Sequence, residues 1–197
     1  MLKVRRFDSQ ASDFEEQFKK FAEPDQEQNT DVTQTVQQII SDIRARGNAA
    51  LLEYTQKFDR LTLDSADQLE FSQPEIQAAL DTIDASKRTA LEQAHARIHD
   101  YAERQKLASW QYTDAHNSTL GQRVTALDRV GIYVPGGTAA YPSSVLMNAV
   151  PAKVAGVDEI IMVAPTPAGQ TNATVLAAAA IAGVCLLYTS PSPRDEQ

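Results

Sequence analysis

The 197-residue chain is 43% hydrophobic and 22% charged, an ordinary globular balance with enough apolar mass for a packed core. Its formal net charge of -8 repels nucleic-acid phosphates and anionic membranes, so no nucleic acid and no membrane is expected as a partner. The single cysteine, Cys185, excludes an internal disulfide framework and suits a reducing, cytoplasmic setting.

The chain opens Leu2-Lys-Val-Arg-Arg-Phe-Asp8, with no apolar stretch behind the basic residues, so no signal peptide is read there. Phe14, Phe18 and Phe21 recur at helical spacing among Asp, Glu and Lys and predict a short amphipathic helix that Pro24 ends. A second helix is expected from an Asp31 N-cap, with Val32, Val36, Ile39, Ile40 and Ile43 on one face. Arg44, Arg46 and Gly47 close it, combining cations with a residue tolerant of the left-handed region. Asn48 is placed to cap a third helix carrying Leu51, Leu52, Tyr54 and Phe58.

Leu69-Glu70-Phe71 alternates like a short strand. Ser72-Gln73-Pro74-Glu75 then has capping-box spacing ahead of a helix buried through Ile76, Leu80 and Ile83. From Asp84 a longer helix is expected to about Gln105, with Leu91, Ala94, Ile98 and Tyr101 inward. After Lys106 the pattern changes. Trp110-Gln111-Tyr112 and residues 121–127 read as strands around a polar turn. Residues 130–134 form an apolar run of the kind that is buried on both faces, stopped by Pro135-Gly136-Gly137. A helix over 143–155, a strand over 159–164 and a helix over 172–184 follow. Strand, glycine turn, helix and strand predict a right-handed βαβ unit with parallel strands.

The expected fold class is therefore α/β: a helical N-terminal region over 1–108, then a partial Rossmann-like nucleotide-binding unit over 109–184, incomplete at the C-terminus. Residues 185–197 abandon the pattern where another parallel strand is due, and two prolines follow. They read as a disordered tail, either native or a scar appended where the original reading frame broke off, and the composition favours the scar.

The glycine turn is the most functional-looking element. At the carboxyl end of a parallel strand, Gly136 and Gly137 let a ligand approach the backbone, and the following helix offers free N–H groups. Tyr133 would put an aromatic ring at that rim. The bland alternative is a tight turn beside a core tyrosine, because the sequence is neither G-x-G-x-x-G nor a P-loop. His95 and His99 stand four apart, a metal-ligand spacing, but without the neighbouring Glu of a zincin they read as a solvated pair. His116 sits in a polar loop. Ser143 and Ser144 follow Pro142 at a helix start, where serine caps N–H groups, and no G-x-S-x-G surrounds them. Cys185 has no basic neighbour in sequence to lower its pKa. The Asn-x-Ser/Thr triplets at Asn117 and Asn172 read as chance matches. No catalytic residue and no metal ligand is assigned from these patterns.

The segment Arg129-Val-Gly-Ile-Tyr-Val-Pro-Gly-Gly-Thr138, continuing through Ser143-Ser-Val-Leu-Met-Asn-Ala-Val-Pro-Ala-Lys-Val-Ala-Gly156 to Ala164-Pro-Thr-Pro167, closely resembles histidinol dehydrogenases. Ile43-Arg-Ala-Arg-Gly-Asn-Ala-Ala-Leu51 with Tyr54 and Lys57-Phe58-Asp59 extends the likeness to about residues 30–184. The resemblance implies a homodimeric, cytoplasmic enzyme of histidine biosynthesis that oxidises L-histidinol to L-histidine in two NAD-dependent steps, with zinc. It further implies that Tyr133 contacts NAD and that Pro135, Gly136 and Gly137 shape the turn. That family continues past Gly183-Val184 with a Gly-Gly-Ala-Gln block and later supplies its zinc ligands and a Glu-His pair, none of which is in this sequence. The resemblance thus implies a chain inactive by itself. The competing reading is a non-catalytic nucleotide-binding or regulatory α/β module, which would close its sheet.

Overall fold

The computed structural model describes residues 6–22, 26–135 and 141–189, with the backbone alone over 26–31. The chain divides into two units, Met1–Ala50 and Leu51–Gln197. The first carries α1 (Phe14–Ala22) and α2 (Gln26–Arg46). Phe14 and Phe18 stack at 5.5 Å, and Phe7 meets Phe18 edge-on at 6.1 Å. α2 begins before the expected Asp31 cap, because Gln26-Glu27-Gln28 are good helix formers and carry the helix upstream. Its end matches the sequence: Gly47 takes φ +59° and donates its N–H to the Ile43 carbonyl at 2.8 Å. α3 (Asn48–Asp59) follows directly, with Tyr54 and Phe58 stacked at 5.9 Å.

In the second unit, β1 (Glu70–Phe71) leads into α4 (Gln73–Thr82) through the capping box. The Ser72 Oγ accepts the Glu75 N–H at 3.4 Å, and the Ser72 N–H donates to Glu75 Oε2 at 2.8 Å. That exchange holds the Glu75 carboxyl below its ordinary pKa, chiefly through the Ser72 side chain. α5 (Ala85–Gln105) buries Leu91 and Ala102, while Tyr101 is exposed. Its N-cap Asp84 makes no side-chain cap bond and pairs with Lys87 at 3.3 Å.

β2 (Trp110–Thr113) and β3 (Thr119–Gln122) form an antiparallel hairpin exposed on both faces. In its turn the Asp114 Oδ1 accepts the His116 and Ser118 N–H groups, both at 2.8 Å, which lets Asn117 adopt φ +62°. Then come β4 (Arg129–Tyr133), α6 (Pro142–Val154), β5 (Glu159–Ala164), α7 (Ala173–Ala182) and β6 (Leu186–Thr189). The sheet runs β1-β6-β5-β4, parallel from β4 to β6 with β1 antiparallel at one edge. The expected βαβ unit is present.

Three expectations change. The boundary placed at residue 108 is not where the chain divides: α4 and α5 pack against α6 and α7 and belong with the sheet. Their apolar stripes needed a partner, and the α6/α7 layer supplies it, joining Ile76, Leu91, Val145, Leu146, Val150, Ile160, Met162 and Leu187 in one core. Secondly, β4 is not buried on both faces. It is the sheet's outer strand, alternating exposed and half-buried residues. Thirdly, the tail expected from residue 185 contains a strand. Leu186–Thr189 is apolar, aromatic and β-branched enough to fill the slot between β5 and β1, so the sheet does not stay open after Val184. Residues 190–197 lie outside the described part.

Candidate functional site

The site begins with the pleat of β4. Val130 and Ile132 register against Ile160 and Met162, whose side chains are fully buried under the helices. Gly131 and Tyr133 consequently turn to the opposite face, with Ile161 and Val163. That face is only half-buried on β5. Tyr133 therefore stands at the carboxyl end of the parallel strand, 44% exposed, in one cross-strand row with Val163 and Tyr188. The core-tyrosine alternative does not hold. The Tyr188 hydroxyl at the row's far end donates to Glu70, which raises its pKa by favouring the protonated phenol.

Just beyond Tyr133 the strand locks down. The Val134 N–H donates to the Val163 carbonyl at 2.9 Å, and Val134 is fully buried. Pro135 follows, half-buried, at the exit from the sheet. Gly136 and Gly137, the other two turn residues expected to shape a ligand cradle, lie outside the described residues. α6 resumes behind them with Tyr141 as its N-cap and Pro142 in the first turn. Ser143 and Ser144 do not cap: both sit inside the first turn, and Ser144 donates its N–H to the Tyr141 carbonyl at 3.0 Å.

The rim continues past β5. The Thr166 and Thr189 hydroxyls meet at 2.6 Å in a buried pair. Ala168 takes φ +54° and Gly169 φ +71°, bending the chain toward α7. Asn172, one of the two glycosylation-like triplets, has a structural use: its Oδ1 accepts the Thr174 and Val175 N–H groups at 3.0 and 3.2 Å, capping α7. A separate concavity of about 430 Å³ lies on the hairpin, lined by Trp110, Thr119, Gly121, Gln122 and Arg123 among others, and includes no rim residue.

Of the remaining candidates, His95 is half-buried and His99 exposed. Desolvation first and the neighbouring His99 second lower the pKa of His95. His116 is exposed in the hairpin turn. Cys185 does have a basic neighbour, contrary to the sequence reading: Lys153 Nζ lies 3.5 Å from its Sγ. The two residues are far apart in sequence, and only the α6-to-β6 packing joins them, so no local signal could have found the pair. Among the described residues, no group of three or more His, Cys, Asp or Glu side chains is placed to hold a metal ion.

A family model described as histidinol dehydrogenase matches residues 22–190. The histidinol dehydrogenase of Bordetella parapertussis is 55% identical over 184 residues, covering 93% of this chain and 42% of the relative. That of Dechloromonas aromatica is 51% identical over 189 residues, covering 96% and 44%. Among solved structures, the crystal structure of histidinol dehydrogenase from Elizabethkingia anophelis is similar with a TM-score of 0.73 and 28% identity, over 81% of this chain and 36% of that one. The chain thus spans less than half the length of these relatives.

Proposed function

The chain belongs to the histidinol dehydrogenase family, and on that premise we propose that it is the amino-terminal, nucleotide-facing part of an enzyme that oxidises L-histidinol to L-histidine with NAD. The observation that carries the reading is Tyr133. It is a half-exposed ring at the carboxyl rim of a parallel sheet, where open α/β sheets receive ligands, two residues before Pro135. NAD supplies a hydride acceptor when bound. The contribution of this chain is to hold it: the Tyr133 ring offers a face for stacking on a base or nicotinamide, and Gly136 and Gly137, having no side chains, would let a phosphate approach the backbone.

A catalytic zinc centre of three or more protein ligands does not fit the described residues. No described cluster of three ligating side chains exists, so no step through a metal is derived for this chain. The chain alone is accordingly proposed to be without dehydrogenase activity, and the whole protein to be a cytoplasmic homodimer.

The test of the main reading is NAD binding by the purified chain, followed by saturation-transfer NMR or calorimetry, with Tyr133→Ala beside it. Loss of one aromatic stacking surface is expected to weaken binding by about tenfold, on the order of 1 kcal/mol. Equal binding by the variant would overturn the assignment of Tyr133, and histidinol-dependent NADH formation by the chain alone would overturn its proposed inactivity.

A further inference from the structure

His95 and His99 occupy successive turns of α5, with ring centroids 6.1 Å apart and planes inclined by 32°. We propose that these two imidazoles together chelate a borderline divalent transition ion, Cu(II) or Ni(II) ahead of Zn(II), as a two-nitrogen surface site. The helix does the positioning. Residues four apart present their Cβ atoms about 5–6 Å from each other, so the second imidazole is delivered to the ion without ordering a loop. α5 is itself fixed by Leu91 and Ala102, both buried in the core against α6 and α7.

The neighbouring carboxylates are engaged elsewhere. Glu92, nearly one turn before His95, accepts from Arg88 Nε at 2.9 Å, and Glu103, one turn after His99, pairs with Lys106 at 3.6 Å. This agrees with the lack of any described three-residue ligand group. The set is therefore nitrogen-only, with water completing the coordination shell. Such a set follows the general affinity order in which copper and nickel exceed the lighter divalent ions, with copper above zinc. Binding is reversible, well short of a structural zinc centre, and clips one turn of α5 in the helical state. The inference is independent of the NAD reading, because His95 and His99 are not among the described residues placed at the rim.

The experiment adds CuCl2 or NiCl2 to the purified chain and follows the thermal unfolding midpoint and the histidine ring resonances. His95→Ala and His99→Ala are run beside the parent, with His116→Ala as the control for adventitious imidazole binding. Alanine is the best helix former, and neither position is buried, so both variants keep the fold. The parent is expected to gain stability from the ion, with His95 and His99 broadened first. Either single replacement is expected to weaken binding roughly hundredfold, because the second ligand acts at high effective concentration. Loss of the effect on His116→Ala, or a parent whose midpoint is unmoved by Cu(II), would overturn the proposal, as would full binding by either α5 variant.

Discussion

Replacing Ala178 by leucine tests the placement of α7, the most deeply buried helix of the second unit. Ala177, Ala178 and Ala179 are each 0% exposed, and successive helical residues point about 100° apart, so this helix has neighbours on nearly every side. Each added methylene would stabilise by about 0.8 kcal/mol if it found room. With the helix packed against α4, α5 and α6, and its alanines in one core cluster with Ile160 and Met162 of β5, over-packing should instead cost about 1–3 kcal/mol. The matched control is Ala180→Leu on the half-buried stripe it shares with Leu176, where the change is expected to stay within about 0.5 kcal/mol. Urea unfolding followed by circular dichroism gives the comparison. The midpoint of Ala178→Leu should fall at unchanged slope, since the slope reports the surface exposed on unfolding and not the strain. An Ala178→Leu protein as stable as the parent would mean that one side of α7 is open, and the layer arrangement would be wrong.

Ser72→Ala removes the side-chain half of the α4 capping box and is expected to cost about 1 kcal/mol, read by the same unfolding assay. The depressed Glu75 pKa should rise toward 4.5 in that variant by NMR titration, since Ser72 is its main cause. Because the folded pKa is depressed, the box's contribution is present above 4.5 and is lost as the pH falls through the folded value. Asn172→Ala strips the two accepted N–H bonds from the start of α7 and should likewise cost about 1 kcal/mol, whereas Asn172→Asp should cost little. His95 shows the same direction in a higher pH window, with desolvation as the main cause. Its folded pKa lies below 6.5, so the unfolded chain binds the proton more readily, and stability should drop as the pH falls from 6.5 through the folded value. His95→Gln should flatten that part of the pH profile; an unchanged profile would show that another group is responsible.

Much of the local structure is written in short-range chemistry. Ser72 and Glu75 start α4 because their exchange of hydrogen bonds needs only residues three apart. Gly47, Gly156 and Gly183 close α2, α6 and α7 at positive φ, as glycines following helical patterns should. The β4-α6-β5 crossover was legible from two apolar runs separated by a glycine turn and a helical stretch. Tyr133 was legible as a site candidate from its place at the end of one of those runs, and its family likeness rested on contiguous residues.

The rest depended on which surfaces meet. Apolar content cannot tell an outer strand from an inner one, so 130–134 read as doubly buried although, among the described residues, β4 has a neighbouring strand on one side alone. The stripes of α4 and α5 declared a need for burial without naming a partner, and the domain boundary drawn from element type therefore fell too late. Leu186–Thr189 has no pattern of its own beyond β-propensity, and the vacant edges of β5 and β1 made it a strand. Lys153 and Cys185, like Thr166 and Thr189, became neighbours through the same pairing. Sequence by itself set where helices begin and end and which strand carries the tyrosine to the rim, because those outcomes are decided within a few residues. Tertiary structure decided burial, edges and the open face on which Tyr133 lies, because these are properties of two surfaces together.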